Sequence, residues 1–249
     1  PCGIIDASSR IYYSCIAHRD WASSAPHTAG IDPVLPDQPL TENNARCLGP
    51  DDQDEISWIA SPGSVFARAL FPMPGTDPVE IHLGRMESDD TRMIALIVNA
   101  PHLDHLLQQR GCRWSDFARF TLEIHTGFHR MAVFEYRIFP HGCGFTRLAW
   151  WNRLGGIDFH TFEGIPAEDH RVEKKTVRAG AETIPLSSSV TRKMKLFTAA
   201  TTRQQNALLI RIAASPRVWI CETEGFTPVD IASETFPVSG PDHTLMEFR

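Results

Sequence analysis

No stretch of this 249-residue sequence is apolar for long enough to cross a membrane as a helix. The longest apolar run, Met93 to Val98, falls far short of the roughly 20 residues a spanning helix needs. A CxxC pair is also missing. The six cysteines, at positions 2, 15, 47, 112, 143 and 221, are too dispersed for a zinc ribbon or a small disulfide scaffold, and they read as reduced, mostly buried thiols. No basic surplus exists: 24 Lys and Arg face 30 Asp and Glu, giving a net charge of −6, and the cations are scattered. That balance excludes a dedicated, sequence-specific nucleic-acid binder. The start of the chain has no charged segment followed by an apolar one, so no signal peptide is predicted, and Pro1 fits equally a cytosolic product that has lost its initiator Met and a processed precursor. Neither a GxSxG elbow, a P-loop, a GxGxxG, an HExxH nor an EF-hand loop occurs, which removes the commonest enzyme classes by local signature.

What is present is ordinary globular material, 42% hydrophobic and 22% charged. Residues 22–54 are dense in Pro, Asp, Asn, Ser and Thr and predict a long loop or an arm that wraps a neighbour. Residues 56–98 alternate short apolar runs with Pro and Gly, ending in a buried strand over 92–98. Asn99 as cap, Pro101 early in the helix, the Leu103, Leu106 and Leu107 stripe and Gly111 as terminator predict a helix over 100–110. Beyond it, period-two alternation predicts strands near 120–124, 131–139, 146–151, 170–178, 190–198, 217–221, 226–231 and 243–248. One helix, 202–214, interrupts them and stops at Pro216. The expected fold is mainly β with a few helices (α+β). Its C-terminal half is an antiparallel sandwich or barrel flanked by that helix, with a division into residues 1–115 and 116–249.

Candidate chemistry is sparse. His102 and His105 share a helix face near Asp104 and Cys112, a spacing open to two metal ligands, yet no third ligand follows. His125 and His129 bracket Gly127, which fits a turn better than a helical HxxxH face. His141 beside Cys143 could in principle activate a thiolate. Gly142 and Gly144 are equally accounted for by a hairpin joining the strand that ends at Phe139 to the one that begins at Thr146. No metal or cofactor is expected. The basic run 171–175 reads as the solvent face of a strand.

The most individual stretch is Trp150–Phe162, WWNRLGGIDFHTF. Two alternating segments flank Asn152–Gly156, so a hairpin is expected. Gly155 and Gly156 would supply positive φ, Trp151, Phe159 and Phe162 cross-strand apolar contact, and Arg153 and Asp158 an ion pair across the turn. This run, followed by a charged strand, a Thr-rich strand, a helix and Ser215-Pro216-Arg217-Val218-Trp219, resembles a β-domain of tailed-phage structural proteins, especially those of phages and prophages of Bacteroidetes-like bacteria. The resemblance covers residues 130–249. It implies a non-enzymatic tail, tail-tip, baseplate or neck subunit that forms a symmetric ring and contacts other virion proteins, located in a virion assembled in the host cytoplasm. Trp151, Asn152, Arg153, Gly155, Gly156, Asp158, Phe159 and Phe162 are then turn and assembly residues. Two other readings stand beside it. One is a thiol- or metal-dependent hydrolase, and the other a carbohydrate- or surface-binding module built on the six Trp.

Overall fold

Strands dominate the chain, as the alternation predicts. The computed structural model describes residues 3–6, 37–43, 45–89, 91–127, 129–139, 144–179, 182–197, 203–222, 225–232 and 245–248. Its first core lies between two sheets. β1 (Gly3–Asp6), β3 (Gln53–Ala60) and β6 (Arg92–Asn99) form a three-stranded antiparallel sheet with β6 central. β2 (Ala45–Leu48), β4 (Gly63–Phe71), β5 (Val79–Ser88), β7 (Arg119–Thr126) and β8 (His129–Ile138) form a five-stranded sheet in the order β2-β8-β7-β4-β5. Only the β2–β8 pair in it is parallel. Ile56, Trp58, Ile94 and Leu96 from the smaller sheet meet Ala67, Phe71, Leu122 and Tyr136 from the larger. Helix α1 (Ala100–Gln108) closes this core with Leu103 and Leu107, and Asn99 Oδ1 accepts from the His102 N–H at 3.0 Å as its cap.

A second core belongs to β9 (Phe145–Trp151), β10 (Ile157–Glu163), β13 (Val218–Glu222) and β14 (Gly225–Val229), in the order β10-β9-β13-β14. Leu148, Trp150, Phe162, Val218 and Ile220 pack there against Leu208, Leu209 and Ile212 of α2 (Arg203–Ala213). The helix expected to flank the C-terminal half does so. A fourth sheet of the order β11-β12-β15 joins β11 (Ala167–Ala179), β12 (Glu182–Phe197) and β15 (Leu245–Phe248), and adds Met194 and Leu196 to the same core.

Mostly β with two α-helices is thus the architecture among the described residues, and no sheet closes into a barrel. Three expectations need correction. A division at 115/116 would cut the five-stranded sheet, whose strands β2, β4 and β5 precede that point and β7 and β8 follow it. The arm expected over 22–54 is in part structure: residues 22–36 lie outside the described residues, but 37–54 contain β2 and the start of β3. Within that stretch Asp37 and Leu40 donate backbone hydrogen bonds, each of 2.7 Å, to Ile59 and Ser57 along the edge of β3. The strands on either side of residues 140–144 are not a hairpin, since β8 and β9 belong to different sheets.

Candidate functional site

The Trp150–Phe162 stretch forms the expected hairpin, with Trp151 opposite Ile157 and Trp150 opposite Asp158. Its tip is organised by Asn152. The Asn152 side-chain carbonyl accepts from the N–H groups of Leu154 (2.9 Å) and Gly156 (3.1 Å), and its amide donates to Leu40 O (2.8 Å) and Asp158 Oδ2 (2.9 Å). One buried side chain therefore uses all of its main bonding capacity to tie the turn to a segment 112 residues earlier. Gly155 takes φ +95, the expected positive value. Gly156 is needed for a different reason. It is not in the positive-φ region, but a Cβ there would lie 2.0 Å from the Leu40 carbonyl oxygen, so only glycine lets the two backbones meet.

The hairpin tip is thus a cradle for residues 39–46. Asp158, with no exposed surface, accepts from the Thr41 hydroxyl and from the Glu42 N–H (3.0 Å), and Asn43 donates to Phe159 O at 2.7 Å. The ion pair expected between Arg153 and Asp158 is not formed. Arg153 instead reaches Glu42, which also receives Arg211 at its backbone carbonyl at 3.0 Å, while Asp158 turns inward to Arg46. Behind the cradle, Leu40 packs with Met93, Ala95 and Leu154 on the back of the smaller sheet.

Arg46 opens a buried charge network. Its guanidinium donates to both Asp54 oxygens (2.8 and 2.7 Å) and to Thr41 (2.6 Å), and it lies over the Phe134 ring. Tyr136 donates to Asp54 at 2.8 Å. Arg147, over the Phe159 ring, donates to Thr161 (2.8 Å) and to the backbone carbonyls of Cys47 (2.9 Å) and Gln53 (3.2 Å). Burial pulls both guanidiniums down, but the surrounding carboxylates more than offset it and hold them charged; burial likewise pushes the Asp158 carboxyl and the Tyr136 hydroxyl up. Two buried arginines balance two buried aspartates, an arrangement better at fixing one register than at adding net stability. It locks the first core to the second through β2, β3, β8 and β9.

The aromatic residues have separate tasks. Trp150 and Phe162 are core, Trp151 stands edge-on to Trp219 at 5.3 Å between ring centres, and Phe159 carries Arg147. Trp150 is 1% exposed, so the two adjacent tryptophans do not line one groove as a carbohydrate platform requires.

The remaining candidates scatter. His105 meets Gln109 at 3.1 Å, Asp104 accepts from the Trp114 N–H (2.7 Å) and from Gln108 (2.7 Å), and the Cys112 thiol rests 3.9 Å from Arg110 O. Among the described residues no group of three or more His, Cys, Asp or Glu could hold a metal ion. His125 stacks on Phe66 at 4.6 Å beside a turn in which Gly127 takes φ +55, which is the turn expected there. His141 and Cys143 lie outside the described residues. An open cleft of about 420 Å³ adjoins Arg147 and Cys221, rimmed by Asp51, Asp52 and Glu222, but burial pushes the Cys221 thiol up to about 12, far from a nucleophile's range.

One feature was not foreseen. The two charged and Thr-rich strands near 170–198 are the legs of a single hairpin: β11 and β12 pair from Ala167↔Lys195 to Ala179↔Glu182. Between residues 167 and 190 its described side chains are exposed on both faces. Val172 is 54%, Val190 63% and Leu186 68% exposed. Gly180, Pro185 and Ser187–Ser189 read as loop, which hid the pairing.

Comparisons with protein-family models, with curated proteins and with solved structures find no match to the chain.

Proposed function

We propose that this protein is a non-enzymatic structural subunit of a tailed-phage particle or a related assembly, acting by self-association and by contacts with other structural proteins. The observation that carries the reading is the β11–β12 ribbon. Thirteen residues of β11 extend for about 43 Å. A two-stranded ribbon of this kind is marginally stable in water on its own, and its apolar side chains face solvent on both sides. Long exposed edges are templates for further strand pairing. Such an element makes sense on a subunit whose neighbours cover it.

The cradle supports the same reading from the opposite direction. Asn152, Gly156 and Asp158, the polar and glycine residues of the resemblance motif, are spent on holding residues 39–46 and not on a reactive centre. Their role is to anchor that segment to the hairpin tip. The proposed setting is a tail, tail-tip, baseplate or neck ring of a virion assembled in the host cytoplasm. Mass spectrometry of purified particles from a lysate of the producing bacterium tests this. The chain should be present at a fixed copy number relative to the other particle proteins, and its absence from intact particles would refute the assignment.

A further inference from the structure

The outer edge of the ribbon is self-complementary. β11 lies at the end of its sheet, with β12 on one side and no strand on the other among the described residues. Along one of its faces stand Asp169, Arg171, Glu173 and Lys175, charges that alternate in sign at a spacing of two. That they share a face follows from strand geometry, and the Arg171–Glu173 contact of 3.0 Å agrees with it. On the other face Val172 stands directly opposite Val190 of β12.

We infer that β11 pairs antiparallel with β11 of a second copy, about a two-fold axis passing through Val172, to give a four-stranded sheet β12-β11-β11-β12. This inference rests on the self-association in the proposed function and names the surface that performs it. About such an axis each residue above 172 faces the residue equally far below it in the partner, and each contact occurs twice. Asp169 then faces the partner's Lys175, and Arg171 the partner's Glu173, which makes four cross-strand ion pairs. Val190, Val172, the partner's Val172 and the partner's Val190 form one continuous apolar row across the sheet. His170 faces the partner's Lys174 and Glu168 the partner's Thr176, so no carboxylate opposes a carboxylate.

Neighbouring registers fail on charge. An axis through residue 171 places Arg171 against its own copy and Asp169 against Glu173. An axis through residue 173 places Glu173 against its own copy and Arg171 against Lys175. Like charges directly opposite are destabilising, so moving the axis by one residue in either direction, a register shift of two residues, is penalised. The irregularity in the ribbon lies between Lys175 and Thr176, where β12 accommodates Leu186 as the extra residue, so β11 keeps its alternation unbroken. The whole ribbon, residues 167–197, carries seven Lys and Arg against four Asp and Glu, a net +3 on a chain whose other residues carry −9. That leaves an acidic body of another copy as the rival seat for the ribbon.

The experiment compares the full chain with Glu173→Lys and with the double variant Arg171→Glu/Glu173→Lys, by sedimentation velocity over a concentration series. Both residues are exposed, and circular dichroism should be unchanged. The single reversal places cations opposite one another twice and should weaken the two-fold contact at least about tenfold. The double variant exchanges the signs and restores opposition, so it should return to within about threefold of the parent. Val172→Cys, on the axis, should form an interchain disulfide under mild oxidation, because facing residues of antiparallel strands come within disulfide range, whereas Val177→Cys should not. Assembly of the parent that is indifferent to Glu173→Lys, a double variant that fails to recover, or no Val172→Cys cross-link would overturn the pairing while leaving self-association standing. Stronger assembly of Glu173→Lys would overturn it in favour of the acidic body. A chain that stays at 27.9 kDa in every variant, parent included, would defeat both the pairing and the proposed function.

Discussion

Replacing Gly156 by Ala puts a methyl group into the Leu40 carbonyl. The built Cβ would sit 2.0 Å from Leu40 O and 3.1 Å from Leu40 C, contacts with backbone that no side-chain rotation relieves. The 39–43 segment must then withdraw by more than an ångström, which breaks the bonds Asn152–Leu40 (2.8 Å), Asp158–Glu42 N–H (3.0 Å) and Asn43–Phe159 (2.7 Å). At about 0.5–1.5 kcal/mol for a neutral bond and about 1.5–3 for one to a charge, the loss should be about 3–5 kcal/mol. Gly155→Ala is the control. It leaves Gly156 free to meet Leu40 and carries the strain of φ +95, about 1–3 kcal/mol. Guanidinium unfolding with matched slopes gives the energies, and brief thermolysin digestion of the native protein reports on residues 37–43. The reasoning is refuted if Gly156→Ala loses less than Gly155→Ala and its 37–43 segment stays as protected as in the parent.

Other outcomes follow from the buried network. Asp158→Ala strands Arg46, Thr41 and Asn152 without their shared acceptor and should cost about 3–5 kcal/mol, measured by the same unfolding; a loss under about 1 kcal/mol would show the pocket to be wet. Burial and the nearby Arg147 lower His160 to about 4, below the roughly 6.5 of an unfolded histidine. Stability is therefore unaffected by His160 above that unfolded value and falls as pH drops towards 4, by about 2 kcal/mol at pH 5. His160→Leu should flatten that part of the stability–pH curve, and an unchanged slope would clear His160 of responsibility. Native Cys221, raised to about 12 by burial, should react with iodoacetamide at least about a thousandfold more slowly than after unfolding, as followed by peptide mass spectrometry at pH 8.

The local periods were legible from residues alone. Alternation located most of the strands beyond residue 119 and an apolar run located β6, Asn99 and Pro101 announced α1, and the glycines of the Trp150–Phe162 stretch announced its turn, whereas β1 to β5 were not assigned. Partners at long range were not legible, because alternation says that a strand has two faces and not which strand lies beside it. Arg153 reaches Glu42 across 111 residues, and nothing near Arg153 distinguishes that from a pair with Asp158. The need for glycine at 156 comes from a distant carbonyl and leaves no φ signature. Arg46 and Arg147 sit inside short apolar strands where a cation normally marks the solvent face; β9 is buried along both faces, so its alternation is lost where the charge network begins. The ribbon was missed for the opposite reason. Residues 180–189 of the sequence include Gly180, Pro185 and three serines, residue types typical of a loop, and the length of β12 shows only once its pairing with β11 is known.

The central claim is that this chain is built to be covered by copies of itself. Its most direct test is the mass of the purified full-length protein in light scattering behind a sizing column, at micromolar concentration and in low and high salt. The account predicts one defined species at an integer multiple of 27.9 kDa, dissociating as salt screens the ribbon charges. A lone 27.9 kDa species at every concentration and salt would contradict it.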